Sequence, residues 1–246
     1  MNSISPNLNI MIKACEKASK IIIRDFGEIE NLQVSRKGPK DFVTKTDKMA
    51  EKVLIEELSR SKSKFSFITE ENGIIKNADE ENVWIIDPID GTTNFLHGIP
   101  HFAISVALRS HKKIISAVIF DPIKNEIFYS EKNNGSFFNN QRIRVSQKND
   151  LEECLFGTNI QGVKSTNLNV RCSGSAALDL AYVSSGRLDG FFQDNLNIWD
   201  IAAGLLLIDE AGGQISNIED NKISGISLLA SSSDIHSKMR ENFNKF

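Results

Sequence analysis

The feature that most limits what this chain can become is a series of apolar segments, FSFIT (65–69), VWIID (83–87), FAISVAL (102–108), IISAVIF (114–120) and EIFYS (126–130), parted by short polar turns such as DPIKN. Segments this short, rich in β-branched and aromatic residues, read as strands, and turns this tight join antiparallel neighbours. A mostly antiparallel sheet is therefore expected in the first half. Ahead of it, Ser5-Pro6 offers an N-cap and a first-turn proline. Leu8, Met11, Ile12, Cys15, Ala18, Ile22 and Phe26 then recur at helical spacing up to a stop at Gly27. Past a basic loop around RKGPK, a second helix begins near Asp47 with Ala50, Val53, Leu54 and Leu58 on one face. From about Val145 short strands alternate with helices, predicted over 174–186, 199–213 and 234–243. The expected division is an N-terminal α+β domain, 1–145, and a C-terminal α/β domain, 146–246.

Composition narrows the class of function. The 246 residues are 40% hydrophobic and 25% charged, as in soluble globular proteins, and no apolar run approaches the ~18 residues of a membrane span. A net charge of -3 gives no basic footprint, so direct nucleic-acid binding is not expected. Cys15, Cys154 and Cys172 lack C-x-x-C spacing and are odd in number, which fits reduced thiols; with no signal-peptide pattern at the N-terminus, a cytoplasmic location is expected.

Acidic residues gather where elements begin or end. Asp47 opens a helix, Glu70 and Glu71 follow FSFIT, Asp87 and Asp90 end VWIIDPID, and Asp200 opens WDIAAG. Asp87 and Asp90 are too close to persist as a buried pair without positive charge between them. A hard divalent cation with oxygen ligands fits, and the carbonyl of Ile89 after the stiff Pro88 offers a neutral donor. Gly91-Thr92-Thr93-Asn94 reads as a helix start whose free N–H groups receive a phosphate, and Thr92 can pass a proton from water to a carboxylate. Together these suggest phosphate ester hydrolysis with two metal ions. Each fragment also has a plainer reading: Asp47 and Asp200 as helix caps, Glu70-Glu71 as a solvated turn, DPIDG as a strand-closing turn. His97 and His101, with too few His or Cys in register for zinc, read as structural.

DFVTKTD (41–47), FITEENG (67–73), WIIDPIDGTTNFLHGIPHFAISVAL (84–108), GSAALDLAYVSSGRLDGFF (174–192) and NIWDIAAGLLLIDEAGG (197–213), in this order, resemble the motif set of the inositol monophosphatase family. The resemblance implies a five-layer αβαβα sandwich of the inositol monophosphatase and fructose bisphosphatase type, a homodimer, and Mg²⁺-dependent, lithium-sensitive hydrolysis of small phosphate monoesters. By motif position, Glu70, Asp87 and the Ile89 carbonyl hold one ion, Asp87, Asp90 and Asp200 a second, and a third, weaker ion shares Glu70. Thr92 with Asp47 activates the water, with Glu70 as a further catalytic residue. Asp90, Gly91, Thr92, Gly174, Ala176 and Gln193 meet the substrate.

Two departures from the family pattern stand out. Gln193 occupies the position where inositol-selective members carry a glutamate, seven residues before Asp200, and the stretch from Gly157 to Arg171 is short, without the usual helix. Inositol 1-phosphate is the leading substrate; histidinol phosphate, fructose bisphosphate and adenosine 3′,5′-bisphosphate are the alternatives. A regulatory protein binding the transcription machinery on the same scaffold is the alternative of another class.

Overall fold

The computed structural model describes residues 4–28, 34–38, 41–159, 168–216 and 222–242. Helix α1, Pro6–Phe26, starts as its sequence predicts: the Ser5 side chain accepts from the Leu8 N–H at 3.2 Å, and Pro6 occupies the first turn, where a missing N–H costs nothing. It buries Leu8, Met11, Cys15, Ala18 and Ile22 against α2, Lys45–Ser61, and the sheet beneath. Between the helices, β1 (Val34–Gly38) and β2 (Asp41–Thr44) pair antiparallel where a loop around RKGPK was expected. Val-Ser-Arg-Lys-Gly carries no apolar alternation for a pattern reading to detect.

The eight-stranded sheet runs in the order β10-β9-β8-β7-β6-β5-β3-β4. Its strands are β3 (Phe65–Thr69), β4 (Gly73–Ile75), β5 (Asp79–Asp90), β6 (Ala103–Ser110), β7 (Lys113–Asp121), β8 (Glu126–Glu131), β9 (Gly135–Phe138) and β10 (Gln141–Ile143). The expected antiparallel pairing holds except between β3 and β5, which are parallel. That exception brings the C-terminal ends of both strands to one edge of the sheet.

A second sheet, order β12-β11-β13-β15-β14, is built from β11 (Leu155–Gly157), β12 (Asn169–Arg171), β13 (Gly190–Leu196), β14 (Gly213–Ser216) and β15 (Ile226–Ser232). Between the sheets lie α4 (Ala176–Ser184) and α5 (Ile198–Glu210), and α6 (Ser233–Asn242) covers the outer face of the second sheet. The result is the five-layer αβαβα sandwich, with an apolar core between each pair of layers. Alternation along a strand assigns residues to cores: Trp84 and Ile86 of β5 face α1 and α2, while Val83 and Ile85 face α4 and α5.

The inner helix layer packs closely because its contact residues are small. Ala103, Ala107 and Ala117 of the sheet meet Ala177, Ala181, Ala202 and Ala203 of the helices. At Gly204 a Cβ would lie 2.5 Å from the Leu180 Cβ, so α5 approaches α4 where only glycine fits. This approach brings both helix starts to the end of β5, where the Ser105 hydroxyl donates to the Trp199 carbonyl at 3.3 Å. The sheet changes between Ile143 and Leu155, close to the change in sequence pattern.

Candidate active site

Strand β5 ends in a bulge. Asp87 pairs with Ser105 and Asp90 with Ala103, so three steps on β5 match two on β6 and the chain kinks at Pro88-Ile89. The kink turns both acids toward one cleft, and the Ile89 N–H donates to Asp87 Oδ1 at 2.9 Å. Gly91 follows with φ +100°; a Cβ there would stand 3.1 Å from the His101 carbonyl and 3.3 Å from the Gly174 carbonyl. Glycine is required on both counts. The short helix α3, Thr92–Leu96, begins immediately behind.

Each remaining acid arrives from its own element. Glu70 continues β3, its N–H donating to the Ile86 carbonyl at 3.3 Å, so the parallel pairing carries it alongside Asp87. Asp200 lies in the first turn of α5, where Oδ2 accepts from the Asn197 N–H at 2.7 Å while the residue lines the cleft. Asp200 thus takes part in the capping box of α5 and also faces the cleft. Asp47, fully buried in the first turn of α2, sits one hydrogen bond behind the cleft: Thr92 Oγ1 is 3.2 Å from Asp47 Oδ1 and 3.0 Å from the Ile89 carbonyl. Glu71 faces away, toward a surface depression with Lys48 and Lys52.

The cavity has a volume of about 140 Å³, lined by Glu70, Asp87, Ile89, Asp90, Gly91, Thr92, Gly174, Ala176, Gln193 and Asp200. Every sequence-predicted site residue except Asp47 lies on it. His97 and His101 do not. Sequence reasoning missed Thr158, Asn159, Ser175, Asp179 and Leu196, which line it too. Ser175 is the N-cap of α4, and its hydroxyl and the Ala177 N–H both donate to Asp90 Oδ2, at 2.5 and 2.7 Å. Residues 160–167, the centre of the short stretch before Arg171, lie outside the described residues.

Electrostatics set this cluster apart. Burial pushes the Asp87 carboxyl well above its ordinary range, and the charges of Glu70, Asp90 and Asp200 push it further. Asp90 is raised to about 6 by burial, against its bonds to Ser175 and Ala177. Asp200 rises to about 7 by burial and the Asp90 charge, and Asp179 to about 7 chiefly by burial, against its bond from the Ser173 hydroxyl. Surplus negative charge in one cleft is the environment a divalent cation stabilises, and an all-oxygen donor set of carboxylates and one carbonyl suits a hard ion. Among the described residues no three acid, His or Cys side chains form a ready-made cage. Asp87, Asp90 and Asp200 each lend an oxygen to hydrogen bonds within the chain. The donor chemistry fits a hard divalent ion.

The family model described as the inositol monophosphatase family matches residues 4–245. The inositol-1-monophosphatase of Rhizobium meliloti (strain 1021) is 46% identical over 227 residues, 86% of this chain and 85% of its own. The Nus factor SuhB of Escherichia coli (strain K12) is 40% identical over the same shares of the two chains. The crystal structure of the extragenic suppressor protein suhB from Bartonella henselae superposes with a TM-score of 0.91 at 42% identity, covering 98% of this chain and 99% of that one.

Proposed function

The chain belongs to the inositol monophosphatase family, and from that premise we propose that it is a Mg²⁺-dependent phosphatase with inositol 1-phosphate as its leading substrate. That it is a phosphoric monoester hydrolase follows from the family and its inositol-1-monophosphatase relatives. The observation that carries the finer reading is the convergence of Glu70, Asp87, Asp90 and Asp200 on one cleft beside the Gly91–Thr92 helix start.

In this reading Glu70, Asp87 and the Ile89 carbonyl hold one ion, Asp87, Asp90 and Asp200 hold a second, and a third, weaker ion shares Glu70. When bound, Mg²⁺ polarises the phosphate oxygens and makes water a better nucleophile at neutral pH. Thr92 Oγ1 orients the attacking water, accepting its proton while passing its own to Asp47 Oδ1, 3.2 Å away. The Gly91 and Thr92 amides receive the phosphate, and Gly174, Ala176 and Gln193 meet the alcohol part of the substrate. Gln193 both donates and accepts, where a glutamate would only accept from hydroxyls. This leaves room for histidinol phosphate, fructose bisphosphate or adenosine 3′,5′-bisphosphate as competing substrates. Lithium inhibition, a homodimer and a cytoplasmic location complete the proposal. Among the described residues no helix is long and apolar enough to cross a membrane.

The test is phosphate release from a panel of these monoesters, with Mg²⁺ and with EDTA, on wild type and Asp90→Asn. Release that needs both Mg²⁺ and Asp90, fastest on inositol 1-phosphate, is expected; Asp90→Asn working as well as wild type would remove the site assignment. The name of the Escherichia coli relative, a Nus factor, supports a second reading: a regulatory protein that binds the transcription machinery on the same scaffold. Silence across the panel from folded protein would favour it.

A further inference from the structure

Glu51 has no part in the chemistry above, yet it is fully buried on α2. A buried carboxylate is tolerated when its oxygens are hydrogen-bonded, and both oxygens of Glu51 are committed to a single turn. Oε2 accepts from the Glu71 N–H at 2.8 Å, and Oε1 accepts from the Asn72 N–H at 3.0 Å and from Asn72 Nδ2 at 2.6 Å. The turn begins at Glu70. One helical turn earlier on α2 stands Asp47, bonded to Thr92. Residues four apart on a helix share a face, about 6 Å between their Cβ atoms. A single rigid helix therefore grips both the turn after β3 that carries Glu70 and the helix start after β5 that carries Thr92.

We propose that Glu51 is a positioning residue: by clamping the Glu71–Asn72 turn to α2, it holds Glu70 at a fixed place relative to Thr92 and Asp87. The proposal rests on the reading of Glu70 as a cation ligand. Glu51 acts through that residue and touches neither substrate nor cation. A carboxylate is the side chain suited to this task, since it presents two acceptor oxygens to three N–H donors on successive residues, whereas Gln sets an N–H₂ against at least one of them.

Calorimetric titration with Mg²⁺, on metal-free wild type, Glu51→Gln, Glu70→Gln and the double variant, tests it together with amide exchange at Glu71 and Asn72 and thermal melting. Glu51→Gln should bind Mg²⁺ about tenfold more weakly, the scale typical of groups that orient a metal ligand. Its Glu71 and Asn72 amides should exchange faster, with substrate KM at saturating Mg²⁺ within about twofold of wild type. Added to Glu70→Gln, it should cost no further affinity. A folded Glu51→Gln with wild-type affinity, or one that costs another tenfold beyond Glu70→Gln, overturns the proposal. Wild-type affinity and turnover in Glu70→Gln would instead overturn the ligand reading of Glu70, and the proposal with it. Should Glu51→Gln fail to fold, Asn72→Ala removes only the 2.6 Å bond and should weaken Mg²⁺ binding about threefold; unchanged affinity there overturns the proposal equally.

Discussion

Two buried polar clusters in this molecule differ in how they are satisfied. Beneath α6, His236 is buried between Ser216 and Ser231, 2.6 Å from Nε2 and 2.9 Å from Nδ1. The Ser231 hydroxyl donates to the Ser232 carbonyl, so it accepts from Nδ1–H, and Ser216 donates to Nε2. Both ring nitrogens are thus bonded inside the chain with the ring neutral. At the cleft, Asp87, Asp90 and Asp200 also lend oxygens to hydrogen bonds within the chain, but these do not offset the burial that raises all three carboxyls or the neighbouring negative charge that adds to it at Asp87 and Asp200. A cluster completed from within supports the fold; one with surplus charge needs a partner from outside.

The largest expected effect separates those two roles in one variant. Asp87→Asn should lower Mg²⁺-dependent turnover by about 10³-fold or more, the scale of several kcal/mol of lost charge stabilisation. In EDTA the same variant should melt above wild type, since it removes a buried charge while an amide oxygen still accepts from Ile89. Turnover near wild type, or a lower melting point in EDTA, would mean that Asp87 is a fold residue like His236.

Next in size is the response to the ion. Mg²⁺ at about a hundred times its dissociation constant should stabilise wild type by about 2.7 kcal/mol against urea, because it binds only the folded chain. Asp87→Asn should lose most of this gain, and EDTA should reverse it. An equal gain in both proteins would place the ion elsewhere.

His236→Leu should cost about 1–3 kcal/mol by taking the acceptor from the Ser216 hydroxyl and the ring donor from Ser231, with turnover unchanged. The cost should also depend on pH. Burial, and then the Arg240 charge, hold the His236 ring below its ordinary value of 6.5. The unfolded chain therefore takes up the proton first, and the stability His236 contributes is present above pH 6.5 and lost as pH falls below it. Raised carboxyls at the cleft have the opposite sign. The difference between wild type and His236→Leu, followed by urea unfolding from pH 7.5 to 5.5, cancels that background and should shrink by up to about 1.4 kcal/mol per pH unit. A difference flat with pH would show that folding leaves the proton affinity of the ring unchanged.

How much of this was legible follows from where each signal lies. Strands with apolar alternation and helices with a cap or stop were readable, down to Ser5-Pro6 and the Phe65–Thr69 strand. Short strands such as Gly73–Ile75, Gly135–Phe138 and Gln141–Ile143 were not, because three or four residues carry too little period. The cleft acids were legible as acids at element ends, which are where rigid scaffolds present side chains. Ser175 and Asp179 stood inside a motif read only for Gly174 and Ala176. Glu51 was missed for a different reason. With Asp47, Leu54 and Leu58 it forms one buried stripe of α2, and an acid on an apolar stripe is itself a signal that a search for apolar residues discards.

The smallest expected effect concerns the rim of the cleft. Gln193 lies half-buried on β13, beside an irregularity in its pairing with β15, and it lines the cavity that holds the acids. Gln193→Glu adds one more acceptor, and one more charge, to the cluster already in surplus. If that position reads sugar hydroxyls, the ratio of activity on inositol 1-phosphate to that on the other monoesters should rise about fivefold, roughly 1 kcal/mol of transition-state preference. Because the new carboxylate joins a site that depends on a cation, the gain should appear at saturating Mg²⁺, and without Mg²⁺ the folded variant should be no more stable than wild type. An unchanged substrate ratio would move selectivity to other residues on the cavity wall, with Thr158 and Asn159 first among them. A ratio that rises while the metal-free variant also gains stability would show that the added acid is satisfied from within the chain. Gln193 would then belong with His236 rather than with Asp87.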